Sequence, residues 1–475
     1  MVTFFYRPLW LRRVYPRFTA ARQVEKTPAH LLERSGRVGE FRGTHALRRV
    51  CAQPGTAGGP GLRLPTPGRD KGRGTILLNS NRASENYEVA VFRTREAVLA
   101  AMDLLRPFQQ HPNADIELYL SRFDDPPAHA RPCVIVVSHK GQAQGVLLAV
   151  CHPLPFELRV GYKALLSPRV RMMTVPPGGI QGARTRDAAE ALVDALRALL
   201  RRREADVVRL FDIDEDSEVA AAARRRPGLF CRDHAPWFGP HFGLVLPEST
   251  DAFYSRMKPK HGNPLRKAVR LLDQDEPGEL SYRVFTRPDE VDAFAERAES
   301  IARHTYQRRL GASFEDTPAA RRWLRILAGR GLWRGYVLST RQQPCAYWLG
   351  WLYGDVFHLY SAGRDASAGN FNPGAGTILL ARMLEDIREH THAREVDFGP
   401  GDYPYKRRFC DTRRQTVTLL IFAPTPFGIA LNLARTALSR AEKSASALLA
   451  WLGIRDRVKR YLRNRLTEDD GADSG

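Results

Sequence analysis

Cysteine is scarce and scattered: Cys51, Cys133, Cys151, Cys231, Cys345 and Cys410 are the six in 475 residues. No two stand in a C-x-x-C spacing, which argues against a disulfide framework or a cysteine zinc site and for reduced, mostly buried thiols. No apolar run approaches the ~18–20 residues needed to cross a bilayer. The start, "MVTFFYRPLWLRRVYPRF", lacks the apolar stretch of a secretory leader. The Walker pattern G-x-x-x-x-G-K-[ST], the dinucleotide pattern G-x-G-x-x-G, the G-x-S-x-G elbow and paired-histidine spacings are all missing. P-loop, Rossmann, serine-esterase and metal-hydrolase readings therefore lack their residues, and no metal is expected.

Positive charge is abundant, at +21 overall, but it is concentrated at the ends. Residues 1–74 hold 15 Lys/Arg against 4 Asp/Glu, and residues 426–466 hold 9 against 2, while the last nine residues carry 4 acids. The 351 residues between are left with only +7. A broad nucleic-acid groove is therefore not demanded, and nucleic acid is not an expected partner. Residues 1–84 form a Pro/Gly-rich basic extension with no hydrophobic period and are expected to be disordered. Residues 426–475 read as two basic amphipathic helices broken near Gly453, then an acidic tail. Such helices either pack on their own domain or touch an anionic membrane. The Arg- and Ala-rich composition suggests a bacterial chain, cytoplasmic or peripheral at the inner membrane.

Between these ends four signals recur in order. "VFRTREAV" (91–98) is answered by "VFTRPDEV" (284–291), each a strand end, a Thr N-cap and a helix start. "PCVIVVSHKGQAQGVLLAV" (132–150) is answered by "RGYVLSTRQQPCAYWLGWL" (334–352), each a hairpin. "VPPGGI" (175–180) and "NPGAGT" (372–377) each lead into a helix, the second with Leu380, Met383, Leu384 and Ile387 on one face. "DVVRLFDI" (206–213) and "REVDFG" (394–399) are the strands that follow. The offsets are 193, 202, 197 and 188 residues, so a duplicated α/β unit is predicted over 85–245 and 246–425. "TVTLLIFAP" (416–424) is a further strand.

Two stretches carry chemistry. The turn Asn372-Pro373-Gly374-Ala375-Gly376-Thr377 follows a strand and opens a helix, where free N–H groups and the dipole suit a phosphate. "FGPGDYPYKRRF" (398–409) follows the next strand, and residues just past strand ends are where open sheets bind ligands. There Asp402 can accept a proton, Tyr403 and Tyr405 can donate to a developing anion, and Lys406 can hold a phosphate or oxyanion. An alternative stays open: Asp402 as the N-cap of a helix with a solvated basic face. His358 and Tyr360 share one face of their strand, and Tyr360 is placed at an acceptor cleft. Between the halves, 249–274 reads as a helical segment with basic residues, and His261 lies in a basic turn there that could meet an anionic acceptor or phosphate.

The second half resembles acyltransferases of the GNAT superfamily, in the group related to the cellulose-biosynthesis protein CelD and the FemAB peptidoglycan transferases. The pattern falls on His304, on Tyr360 with Asp365, on Pro373-Gly374, and on Asp397, Phe398, Gly401, Asp402, Tyr405 and Lys406. It departs at Asn372, where a serine is more usual. The first half, with Gly178-Gly179, is then the degenerate copy. The resemblance implies acyl-CoA as donor, with its pyrophosphate on the amides of Gly374–Thr377 and its thioester between two parted strands, "VFHLYSAG" and "REVDFG". It implies Asp402 or His304 as base, Tyr405 as proton donor to the thiolate, and an amine or hydroxyl acceptor on a cell-envelope saccharide or its precursor. An aminoacyl-tRNA-dependent transferase and a non-catalytic adaptor are the rival expectations.

Overall fold

The computed structural model describes residues 75–79, 87–124, 129–160, 163–257, 259–272, 280–305, 308, 313–340, 343–365 and 374–451. Its strands are β1 (Thr75–Asn79), β2 (Tyr87–Phe92), β3 (Arg131–His139), β4 (Gln142–Pro155), β5 (Leu158–Val160), β6 (Lys163–Leu166), β7 (Arg169–Val175), β8 (Ile180–Gly182), β9 (Val207–Asp214) and β10 (Trp237–Val245). Then follow β11 (Leu280–Phe285), β12 (Trp333–Thr340), β13 (Gln343–Tyr353), β14 (Val356–Arg364), β15 (Glu395–Pro400) and β16 (Thr412–Phe422). The longer helices are α1 (Arg186–Arg201), α2 (Glu218–Arg225), α3 (Val291–Ala302), α4 (Pro318–Gly329), α5 (Ala375–His390) and α7 (Pro426–Trp451), with the short α6 (Pro404–Phe409) between the last two.

The architecture is the mixed α/β one expected: a single 14-stranded, largely antiparallel sheet flanked by helices. Its order is β1-β2-β3-β4-β7-β9-β16-β10-β15-β14-β13-β12-β11, with β8 added on β4. Each copy contributes one parallel pair, β7 with β9 and β14 with β15. The middle of the sheet is an exchange. β10 is the last strand of the first copy yet pairs with β15 of the second, and β16 is the last strand of the second copy yet pairs with β9 of the first. β10 and β16 pair with each other, closing the seam.

Residues 132–138 of β3 are buried without alternation, because helices cover both faces of the sheet. α1 lies on one face through Ala188, Ala191, Leu192, Leu196 and Leu199, all buried. In the second copy Ile378, Leu379, Met383, Leu384 and Ile387 bury the inner face of α5, each large side chain contributing roughly 1.5–3 kcal/mol. Its rotation is fixed by Asp386, which accepts from Tyr336 Oη at 2.9 Å and from Arg334 Nε at 3.0 Å. That lock sets where the N-terminal turn of α5 stands relative to β14.

The structure departs locally from the sequence expectations. Thr94 caps its helix as expected, accepting from Ala97 N. In the second copy the job passes from Thr286 to Glu290, whose carboxylate accepts from the amides of Thr286 and Arg287. "VPPGGI" does not open a helix: β8 intervenes, and α1 is capped by Thr185. The stretch 249–274 is two helices, Thr250–Ser255 and Pro259–Leu272. Thr75–Asn79, within the extension expected to be disordered, pairs with β2. Residues 1–74 and the second of the two C-terminal helices expected from the sequence lie outside the described residues.

Candidate active site

β14 and β15 pair in parallel only from Val356 to His358 against Glu395 to Asp397. β14 then runs on to Arg364 against β13, and β15 to Pro400 against β10, with no further pairing between the two. Past the last pair the strands are free to part. β15 ends irregularly because Gly399 and Gly401 take φ of +69° and +103°, a region open to glycine at little steric cost. This bend turns the chain into α6.

At the separation point a cavity of about 1030 Å³ opens between the two copies. The second copy lines it with His358, Tyr360, Asp397 and Lys406, the exchanged strands with His241 and Arg414, and the first copy with His111 and Asp212. A chain of polar contacts crosses the seam. His241 Nδ1 meets Asp212 Oδ2 at 2.8 Å, and its Nε2 meets Asp397 Oδ1 at 2.6 Å. Asp397 also accepts from Gly399 N at 2.7 Å, and its Oδ2 faces His358 Nδ1 at 3.3 Å. Thr416 Oγ1 donates to Asp212. Arg414 lies 3.3 Å from His241 Nε2 and pairs with Asp214.

Burial opposes a charge on His241, but Asp397 and Asp212 on either side outweigh it and raise the ring to about 9. Burial likewise opposes the Asp397 charge, and His241 and His358 overcome it, holding that carboxyl well below its usual range. At neutral pH His241 is therefore an imidazolium held between Asp397 and Asp212. His111 is the opposite case: withdrawal from water, reinforced by His358, keeps its ring neutral, well below the usual histidine range. It lies edge-on to His358 at 4.8 Å. Its close seat depends on Gly178, where a Cβ would fall 2.2 Å from His111 Cγ and φ is +66°.

His111, His358 and Asp397 bring ligand-type atoms within 4.8 Å of one another, near enough to hold a cation. Two features weigh against that use. His111 Nδ1 already accepts from Asn113 N at 3.0 Å, which puts the neutral ring's proton on Nε2. The Asp397 charge is already balanced by His241. The arrangement is better suited to moving a proton: His358 is oriented through Nδ1 by Asp397, which leaves Nε2 for a substrate.

The residues predicted from sequence fall in three places. Tyr360 and Lys406 line the cavity. Tyr360 is packed among Trp323 and Trp351, with ring centroids 5.7 and 4.8 Å away. Lys406 is 1% exposed, and its Nζ donates to the carbonyls of Gly399 at 2.9 Å and Pro400 at 2.8 Å. Burial lowers its pKa to about 8. Lys406 therefore braces the bent end of β15 rather than reaching outward as a phosphate ligand.

Asp402 and Tyr405 stand just beyond. Asp402 is held by Arg407 through both oxygens, and the N-cap of α6 is Tyr403, not Asp402. Tyr405 packs edge-on against Trp348 at 5.7 Å and stacks on Tyr403 at 5.6 Å. His304 is elsewhere, exposed at the end of α3 with Nδ1 2.9 Å from Ser300 O. His261 is exposed on the helix Pro259–Leu272.

Asn372 and Pro373 lie outside the described residues. Gly374 is the N-cap of α5 with no side-chain cap, in contrast to the Thr185-capped α1. The amide of Thr377 turns back to Gly374 O at 2.8 Å, leaving those of Ala375 and Gly376 as the outward donors. Arg364, exposed at the end of β14, brings Nη1 to 3.0 Å from where a Gly374 Cβ would stand. Trp348 Nε1 donates to Gly376 O at 3.2 Å, so one indole links the start of α5 to Tyr405.

His111, Asp212, His241 and Arg414 were not legible as site residues. For Asp212 a signal existed: it ends the first copy's strand "LFDI" as Asp397 ends the second copy's "VDFG". His241 had none, because only the strand exchange brings it between those acids.

Residues 259–407 match the family described as the acetyltransferase (GNAT) domain, and a GNAT-type acyltransferase fold is what this part of the chain has. No curated protein matches. Among solved structures, FemX is 12% identical with a TM-score of 0.49, covering 70% of this chain and 98% of its own. A tandem GNAT protein from the clavulanic acid biosynthesis pathway is 14% identical, TM-score 0.40, covering 70% and 99%. The C-terminal domain of a putative lysylphosphatidylglycerol synthetase from Agrobacterium fabrum is 12% identical, TM-score 0.42, covering 72% and 96%. Likenesses at this level carry no inference about substrates.

Proposed function

We propose that the chain transfers an acyl group, acetyl in the simplest case, from acyl-CoA to an amine or hydroxyl of an acceptor in the cavity between the two copies. A cell-envelope saccharide or its precursor fits the size and polarity of that space. The observation that carries the reading is the parting of β14 and β15 directly after His358 and Asp397. Beyond that point β14 runs on to Arg364 near the uncapped start of α5, while the proton-handling chain stands where the strands part.

In this reading the donor diphosphate lies against the amides of Ala375 and Gly376 with the Arg364 guanidinium. The acceptor's N–H or O–H gives its proton to His358 Nε2 as the nitrogen or oxygen bonds to the thioester carbon. The C–S bond then breaks, and the coenzyme A thiolate leaves with a proton from water or Tyr405. An imidazolium formed at His358 is stabilised by Asp397. The test is thiol release from acetyl-CoA by the full chain with a panel of amino sugars. Turnover lost in His358→Ala with acetyl-CoA binding retained supports the assignment, and turnover unchanged in that variant removes His358 from it.

Salt-sensitive tRNA binding without acyl-CoA binding would select the rival reading instead, a transferase that takes its acyl group from aminoacyl-tRNA.

A further inference from the structure

α7 packs on the first copy through Leu431, Ala434 and Leu438, which join Phe156, Leu158 and Phe422 in one core. Its polar contacts reach the turn before β10: Asn432 Nδ2 donates to the carbonyls of Phe230 and Arg232, and Arg435 pairs with Asp233. The helix therefore lies between the hairpin β5–β6 and the turn around residue 230.

This region gathers exposed apolar side chains. The hairpin presents Val160, Leu165 and Leu166, the last 64% exposed, and the turn presents Leu229 and Phe230, at 58% and 54%. α7 adds Phe427 and Leu433. These are seven of the eleven large apolar side chains exposed on the described surface. Single exposed apolar residues need no explanation, but a concentration about one helix marks an interaction surface.

The charge on its described residues is mostly positive. On α7, Arg440 and Lys443 are exposed beside the half-buried Glu442, and the chain beyond it holds 6 Lys/Arg against 1 acid over residues 452–466, then 4 acids in its last nine positions. Arg201, exposed at the end of α1, lies within electrostatic reach of Cys231 beside Phe230. A second copy would set this positive region against itself. An anionic lipid surface would attract it while receiving the apolar side chains. Among the described residues no helix is long and apolar enough to cross a membrane, so the contact is one of lying on the bilayer.

We propose that the surface formed by α7, the hairpin β5–β6 and the turn at Leu229–Phe230 docks the protein on an anionic membrane. Leu165, Leu166 and Phe230 enter the interface, and Arg440 and Lys443 of α7 meet the lipid head groups. The proposal is independent of the acyl-transfer reading.

The test is flotation of the full chain with phosphatidylcholine vesicles, with and without phosphatidylglycerol, at low and high salt. Binding is expected only where phosphatidylglycerol is present, weakening with salt. Leu165→Asp/Leu166→Asp and Phe230→Asp, all at exposed positions, are expected to keep the wild-type melting temperature and to lose roughly tenfold or more in binding. No binding to the anionic vesicles overturns the proposal. Equal binding by the variants overturns it in favour of the basic tail alone. A lipid-free dimer that those variants abolish overturns it in favour of a second copy.

Discussion

His358 and Asp397 are the last residues at which β14 and β15 stand in register, and their side chains meet there, Nδ1 to Oδ2 at 3.3 Å. The pair that ends the β14–β15 ladder is thus also the pair best arranged to take a proton. Asp397→Asn keeps the shape but removes the charge that orients and supports the His358 ring. A fall in kcat of about 10²–10⁴ is expected, with little change in acyl-CoA affinity, measured by steady-state kinetics beside a direct binding titration. Equal loss of binding and turnover would assign Asp397 to the fold.

The donor end makes a separate prediction. Removing the guanidinium in Arg364→Ala takes away one charge-assisted contact, worth about 1.5–3 kcal/mol. KM for acyl-CoA should rise about tenfold or more with kcat little altered, and the difference from wild type should shrink at high salt. A change confined to kcat would argue against a diphosphate at Gly374–Gly376.

His241 makes stability depend on pH in a stated direction. Its folded pKa of about 9 lies above the ~6.5 of a free histidine. The stabilisation, on the order of 3 kcal/mol, is fully present below about pH 6.5 and is lost as pH rises toward 9. Lys406, lowered to about 8, acts oppositely, gaining stability between 8 and the ~10.4 of a free lysine. His111 and His152, both lowered in the fold, oppose the His241 effect only until their unfolded rings lose the proton just above ~6.5, so the His241 slope dominates from there to pH 8. Denaturant titrations across that interval should show falling stability in the wild type and a flatter profile in His241→Asn.

Gly178 and His111 should couple. Gly178→Ala puts a methyl into the His111 ring at a positive φ, an overlap and strain of roughly 1–3 kcal/mol each. In a His111→Ala background the overlap vanishes and only the strain remains. A double-mutant cycle read by unfolding free energy should be non-additive by about 1 kcal/mol or more; additivity would mean the ring moves aside freely.

Dialysis against a chelator should leave turnover unchanged, since the Asp397 charge is met by His241. Activity lost on chelation and restored by zinc would instead put a cation among His111, His358 and Asp397.

The fold was legible because its signals are local and repeated: caps, hairpin turns and two periodicities recurring in order. Leu380, Met383, Leu384 and Ile387 were placed on the buried face of α5 from spacing alone. The centre of the sheet was not legible. Pairing of β10 with β15 and of β16 with β9 is long-range, and nothing local in "WFGPHFGLV" says which strand it joins. Asp402 looked free because its partner is a side chain five residues on, and Lys406 looked exposed because burial of an ammonium depends on carbonyls that only the bend at Gly399 turns toward it. Asp397 and His358 were both noticed, but their contact depends on the register of two strands whose partners lie 39 residues apart.

The most direct test of the account is a crystal structure of the full chain with acetyl-CoA. It should show the pyrophosphate against the amides of Ala375 and Gly376 and the thioester between β14 and β15, with the carbonyl carbon open to the cavity beside His358. A chain that binds no acyl-CoA, or binds it away from the parted strands, would contradict the account.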